Sequence, residues 1–132
     1  MYKTLKIATK SRSQMIDITE EVALAISESG VTRGACRIFV PHTTAAVTIN
    51  ESADPDVAAD ILMSLEKLVP WKDNYGHVEG NSAAHIKATL IGPDLTLLVE
   101  EGKLLLGTWQ GVFLCEFDGP RTRNVFVRVD EA

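Results

Sequence analysis

Residues 94–129 read DLTLLVEEGKLLLGTWQGVFLCEFDGPRTRNVFVRV, and this stretch decides the fold. Apolar side chains recur at every second position: Leu95, Leu97 and Val99, then Leu104 and Leu106, then Val112 and Leu114, then Val125, Val127 and Val129. That is the period of a strand with one buried face. Glu101-Gly102 has the form of a two-residue hairpin turn, and Asp118-Gly119-Pro120 marks a second, tighter bend before the last strand.

Upstream, Leu5 and Ile7 alternate between lysines, so residues 2–9 form a half-exposed strand. Ile18, Val22, Ala25 and Ile26 follow at helical spacing, with Asp17 and Glu20 placed for a capping box and Gly30 as the stop. Residues 34–41 and 46–50 are two strands separated by a bend at His42-Thr43-Thr44. Residues 53–69 make the clearest helix: Asp54 caps it, Pro55 takes the first helical position, and Pro70 ends it. Its expected buried stripe is Val57, Ile61, Leu65 and Leu68. A polar segment, WKDNYGHVEGNS, precedes a shorter helix over 83–91, capped by Asn81 or Ser82, with Ile86 and Leu90 four apart. Long loops of this kind often carry function. Strands and helices do not alternate regularly, so the fold class is α+β with a mostly antiparallel sheet and two to three helices.

The 132 residues are 45% hydrophobic and 23% charged, as in a soluble globular protein. No repeat or linker divides the chain, so residues 1–132 are read as a single domain. Asp and Glu outnumber Lys and Arg by 18 to 13, a net charge of −5 that argues against a broad nucleic-acid-binding face. No apolar run is long enough to cross a bilayer or to form a secretory signal, so no membrane role and a cytoplasmic location are expected. Cys36 and Cys115 sit alone among apolar neighbours and read as buried thiols. The phosphate-binding glycine fingerprints of nucleotide enzymes are absent.

The chemistry-bearing side chains lie at turns. His42 follows a strand, His77 lies in the polar loop, and His85 lies on the first turn of the third helix. Three imidazoles could share a divalent metal, zinc or magnesium, and leave one position open. Each could equally be a hydrogen-bonded structural residue. Asn50-Glu51 ends a strand, and Glu51, unlike Asp54 and Asp56, has no helix-capping role; it is the preferred catalytic carboxylate, with His42 and His85 as acid–base partners. In Gly107-Thr108-Trp109-Gln110-Gly111, Trp109 is either a core residue or a stacking platform flanked by the donors Thr108 and Gln110. Arg121 and Arg123 can hold a phosphate, with Thr43 and Thr44 adding hydrogen bonds at the bend after His42.

Several of these segments together resemble the YjbQ-like family, whose members are commonly labelled secondary thiamine-phosphate synthases. They are HTTAAVTINE (42–51) with Asp54-Pro55, Tyr75-x-His77-x-Glu79-Gly80, Ala84-His85-Ile86-Lys87, Gly107-Thr108-Trp109-Gln110-Gly111 and Asp118-Gly119-Pro120-Arg121. The resemblance runs from about Lys10 to Val129. It implies a homotrimer with a polar pocket built from these segments. It also implies a transferase that joins hydroxymethylpyrimidine diphosphate to a thiazole phosphate and releases pyrophosphate. The residues allow two readings: a metal-assisted enzyme acting on a small phosphorylated metabolite, or a trimeric metal- or phosphometabolite-binding protein without turnover.

Overall fold

Strands β7 (Gln110–Glu116) and β8 (Thr122–Glu131), which follow one another in the chain, belong to different sheets in the computed structural model, which describes residues 2–132. The remaining elements are β1 (Lys3–Ala8), β2 (Gln14–Asp17), α1 (Thr19–Ser29), β3 (Gly34–Phe39), β4 (Ala45–Glu51), α2 (Pro55–Leu68), α3 (Ser82–Ile91), β5 (Asp94–Glu100) and β6 (Lys103–Leu104). One sheet has the order β1-β8-β3-β5-β6 and the other β2-β7-β4, and every pairing is antiparallel. The α+β class with three helices and antiparallel sheets is the fold observed.

The two sheets face each other across the main core. Cys36, Ile38, Val99, Val125 and Val127 of the larger sheet meet Val47, Val112 and Leu114 of the smaller one, and α1 inserts Val22, Ala25 and Ile26. Each fully buried aliphatic side chain here stabilises the fold by roughly 1.5–3 kcal/mol. The other face of the small sheet packs on α3 and part of α2, through Ala46, Phe113, Cys115, Ala84 and Ala88, with Leu62 and Leu65 alongside. β7 therefore buries both faces, which is why GVFLCEF is a continuous buried run and not an alternating one.

Local signals hold where backbone chemistry decides. Asp54 accepts the Asp56 N–H at 2.9 Å with Pro55 at the first helical position. Gly30 ends α1 in the left-handed region at φ 71°. Glu101 (φ 53°) and Gly102 (φ 74°) form the two-residue turn between β5 and β6.

Four expectations need correction. Residues 14–17 form β2 beside β7, so Asp17 does not build a capping box with Glu20. Its carboxylate instead accepts the Thr19 N–H and hydroxyl, and Ile18 occupies the cap position. No residue of α2 is fully buried, and Leu68 is 75% exposed, because only one side of the helix touches the small sheet. On α3 the buried positions are Ala83, Ala84, Lys87 and Ala88, whereas Ile86 and Leu90 face outward. Small residues let this helix approach the sheet closely, and the apolar pair is left outside. Finally, Leu106 and the glycine-flanked turn lie outside any strand until Gln110.

Candidate functional site

β4 and β7 run side by side with Ala45 opposite Glu116 at one end and Glu51 opposite Gln110 at the other. Six residue steps of about 3.3 Å separate those ends by roughly 20 Å. The expected site residues are divided between them.

At the Glu116 end, His42, Thr43 and His85 line one cleft of about 410 Å³ with Ala45, Ala88, Thr89 and Pro93. A second cleft of about 330 Å³, lined by Tyr75, His77, Ser82, His85 and Ile86, shares His85 with the first. His77 and His85 meet edge to face, ring centroids 5.5 Å apart at 89°. The first turn of α3, which carries Ser82 and His85, has no side-chain cap, so its free N–H groups add partial positive charge there. Asn81, at the cap position, turns away and donates from Nδ2 to Asp118 Oδ2 at 2.9 Å. Arg121 is exposed on the neighbouring bend and is held by Asp118, through Nε to the carbonyl at 2.9 Å and Nη2 to Oδ2 at 3.3 Å.

Beneath this end lies a buried ion pair. Arg123, 2% exposed, donates from Nε to Glu116 Oε1 at 2.8 Å and from Nη2 to Glu116 Oε2. Nη2 also reaches Thr44, at 2.8 Å to the hydroxyl and 3.2 Å to the carbonyl. The Glu116 carboxylate further accepts the Asp118 N–H at 2.9 Å and the Thr9 hydroxyl at 2.8 Å. Burial pushes the Glu116 carboxyl up, but the hydrogen bonds from Arg123, Asp118 and Thr9 and the Arg123 charge more than offset it, leaving it below its ordinary value. The pair joins β7 of one sheet to β8 of the other, so Arg123 and Thr44 are internal supports. The phosphate-binding role expected of them is corrected: the guanidinium and the hydroxyl face each other, away from solvent.

His42 stands on this support. Its Nε2 accepts the Asn124 N–H at 2.9 Å. Burial, followed by the Arg123 charge, lowers its pKa. The three histidines do not form one ligand set: His85 is shared between the clefts and His77 joins it, but the Nε2 lone pair of His42 is engaged by Asn124. Among the described residues no three His, Cys, Asp or Glu side chains come together as a cation site. The donor set within one chain is thus two imidazoles, fewer than the three or four protein ligands of a zinc centre.

At the other end, Glu51 Oε2 accepts the Ala53 N–H at 3.0 Å, and Asn50 Oδ1 accepts the Glu51 N–H at 2.7 Å. Both carboxylate and amide shape the turn into α2. Trp109 is 63% exposed, which removes the core reading of that indole, and its carbonyl accepts the Ser52 N–H at 2.8 Å. Gln110 folds back so that Oε1 accepts the Gly107 N–H at 2.8 Å, and Thr108 is exposed beside it. A Cβ on Gly111 would lie 2.6 Å from Ser52 Cβ, so this glycine accommodates a neighbouring loop and no ligand is needed to explain it. Neither Glu51 nor Trp109 reaches the histidine clefts of its own chain.

Sequence reasoning missed Glu116 and Thr9 as the support of this end. A glutamate inside the apolar run GVFLCEF was the available signal, since a buried carboxylate requires a partner. Cys36 and Cys115 are buried, and burial raises their thiols to about 11 and about 12, as expected of inert cysteines.

The same sequence and architecture recur elsewhere. The UPF0047 protein YugU of Bacillus subtilis is 51% identical over 130 residues, covering 98% of each chain. A UPF0047 protein of Methanocaldococcus jannaschii is 52% identical over 124 residues, or 94% of this chain and 90% of that one. The crystal structure of a YjbQ/UPF0047 family protein from Clostridium acetobutylicum superposes with a TM-score of 0.95 at 53% identity, covering 97% of this chain and 99% of the other. A YbjQ-like protein from Sulfolobus solfataricus superposes equally well, at 0.95, with 34% identity over 100% of this chain and 97% of its own. A family profile described as UPF0047 protein YjbQ-like matches residues 3–132, and the chain belongs to that family.

Proposed function

We propose that this protein binds a small phosphorylated metabolite in the joined histidine clefts and catalyses transfer with loss of pyrophosphate, as the label secondary thiamine-phosphate synthase implies. The observation that carries this reading is the cleft lined jointly by His42 and His85, which shares His85 with the second cleft at Ser82 on the first turn of α3. Two imidazoles, the Thr43 hydroxyl and the exposed Arg121 together make a local donor-rich surface on a chain of net charge −5. Helix N-termini and guanidiniums favour phosphate oxygens. In the reaction, the thiazole nitrogen lone pair forms a bond to the pyrimidine methylene carbon. The carbon–oxygen bond to the diphosphate breaks, and the diphosphate leaves with the electron pair. His42, His85 and Arg121 stabilise that departing charge. No step is assigned to a metal: zinc or magnesium belongs to this reading only where a neighbouring copy adds ligands to the His77–His85 pair.

Glu51, Asn50, Thr108, Trp109 and Gln110 enter the site from an adjoining subunit of a homotrimer in this proposal. Their place roughly 20 Å from the clefts of their own chain supports such sharing. That same separation favours a second reading, a binding protein without turnover, because Glu51 and Trp109 stand outside the histidine clefts of their own chain. Incubation with hydroxymethylpyrimidine diphosphate and thiazole phosphate separates the two. Pyrophosphate release that falls at least a hundredfold in His85→Ala supports the enzyme, whereas tight binding with no release supports the binding protein.

A further inference from the structure

The hydrogen bond at His42 determines what that side chain offers a ligand. A backbone amide only donates, so the Nε2 atom that meets Asn124 N–H at 2.9 Å carries a lone pair and no proton. A neutral imidazole has one N–H, which is then on Nδ1. The topology explains why this bond exists. The β3–β8 ladder ends at Phe39 opposite Phe126, so no β3 residue is paired with Asn124. The His42 ring supplies the acceptor that continues the ladder. Nδ1 has no hydrogen-bond partner among the described residues and is not among the buried unpartnered atoms, so it remains free for the cleft that His42 lines.

We infer that His42 is a neutral hydrogen-bond donor, through Nδ1–H, to a phosphate oxygen of the ligand, and is neither a general base nor a metal ligand. The Asn124 N–H is its positioning group. Metal ligation would require a bare lone pair on one ring nitrogen: Nε2 is engaged and Nδ1 carries the proton. Thr43, next in the chain and on the same cleft, adds a hydroxyl beside the imidazole donor. The choice of a phosphate oxygen rests on the function proposed above; the protonation of the ring does not.

Nitrogen-15 NMR of histidine-labelled protein at pH 7 tests the ring directly. The expected result is a proton on Nδ1 and a bare Nε2, with the Nδ1–H resonance moving when inorganic pyrophosphate is added. A proton on Nε2, or an imidazolium at that pH, overturns the inference. Two variants separate support from binding. His42→Gln keeps an oxygen near Nε2 for Asn124 and loses the donor, so the melting temperature holds while pyrophosphate affinity, by calorimetry, falls about tenfold or more. His42→Asn keeps a donor near Nδ1 and loses the acceptor, so stability falls more than affinity. Wild-type affinity in His42→Gln overturns the donor role. Wild-type protein that binds no pyrophosphate removes the phosphate reading, and the proton position, measured without ligand, then decides the inference by itself.

Discussion

Glu116 and Arg123 show how one residue pair fixes the candidate site. Their side chains are 0% and 3% exposed, and removing one partner strands a buried charge. Glu116→Gln is expected to destabilise the fold by about 3–5 kcal/mol, seen as a lower denaturation midpoint with an unchanged slope. A loss under about 1 kcal/mol would mean that the pair supports nothing. His42 adds a pH signature. Burial and the charge of Arg123 on β8, with Arg121 on the bend acting in the same direction, outweigh the opposing charge of Glu116 on β7 and lower its pKa in the fold. The unfolded chain therefore binds a proton more readily near pH 6.5. This contribution to stability is fully present above the unfolded value and is lost as pH falls through the lower, folded value. The melting temperature is expected to drop from pH 7.5 to pH 5.5, and less steeply in His42→Gln; parallel curves would exclude His42 as the source.

At the scale of elements, α2 and α3 are joined by an ion pair of unequal burial. Lys87 is 1% exposed on α3 and donates to Glu66 Oε2 on α2 at 2.6 Å, whereas the Glu66 side chain is 48% exposed. Losing the carboxylate leaves an ammonium buried without a counter-charge; losing the ammonium leaves a carboxylate that water can reach. Glu66→Gln is therefore expected to cost about 1–3 kcal/mol, and Lys87→Met, which keeps the volume, under about 1 kcal/mol. Urea unfolding of the two variants checks the order, and equal losses would contradict it. The α3 pattern also shows where helical periodicity stops informing. Spacing identifies Ile86 and Leu90 as an apolar pair, but the close approach to β4 and β7 selects the alanine face, with Lys87 buried by the Glu66 contact.

For the whole molecule, large apolar side chains stand exposed on several elements, among them Met63 and Leu68 on α2 and Ile86 and Leu90 on α3. On the outer face of the large sheet Tyr2, Phe39 and Phe126 form a ladder with ring centroids 4.9 and 6.4 Å apart. Such surface on a chain this small agrees with the proposed trimer. Light scattering at micromolar concentration is expected to give about three times the 14.4 kDa chain mass. A monomer would remove the trimer and, with it, the sharing of Glu51 and Trp109 between subunits.

The local chemistry of the sequence determined the element types and several of their ends. Alternation in residues 94–129, the Asp54-Pro55 start of α2, the left-handed Gly30 and the Glu101-Gly102 turn all depend on backbone preferences within a few residues. The turn positions of His42, His77 and His85 were legible for the same reason. Tertiary structure alone decided that β7 and β8 part into separate sheets and that Arg123 turns inward to Glu116 while Arg121 stays outside. It also placed Glu51 and Trp109 a strand's length from the histidines. These outcomes depend on which faces meet across the fold, and a buried arginine and an exposed one look alike in sequence until the partners of the buried one, Glu116 on the preceding strand and Thr44 79 residues away, are brought beside it.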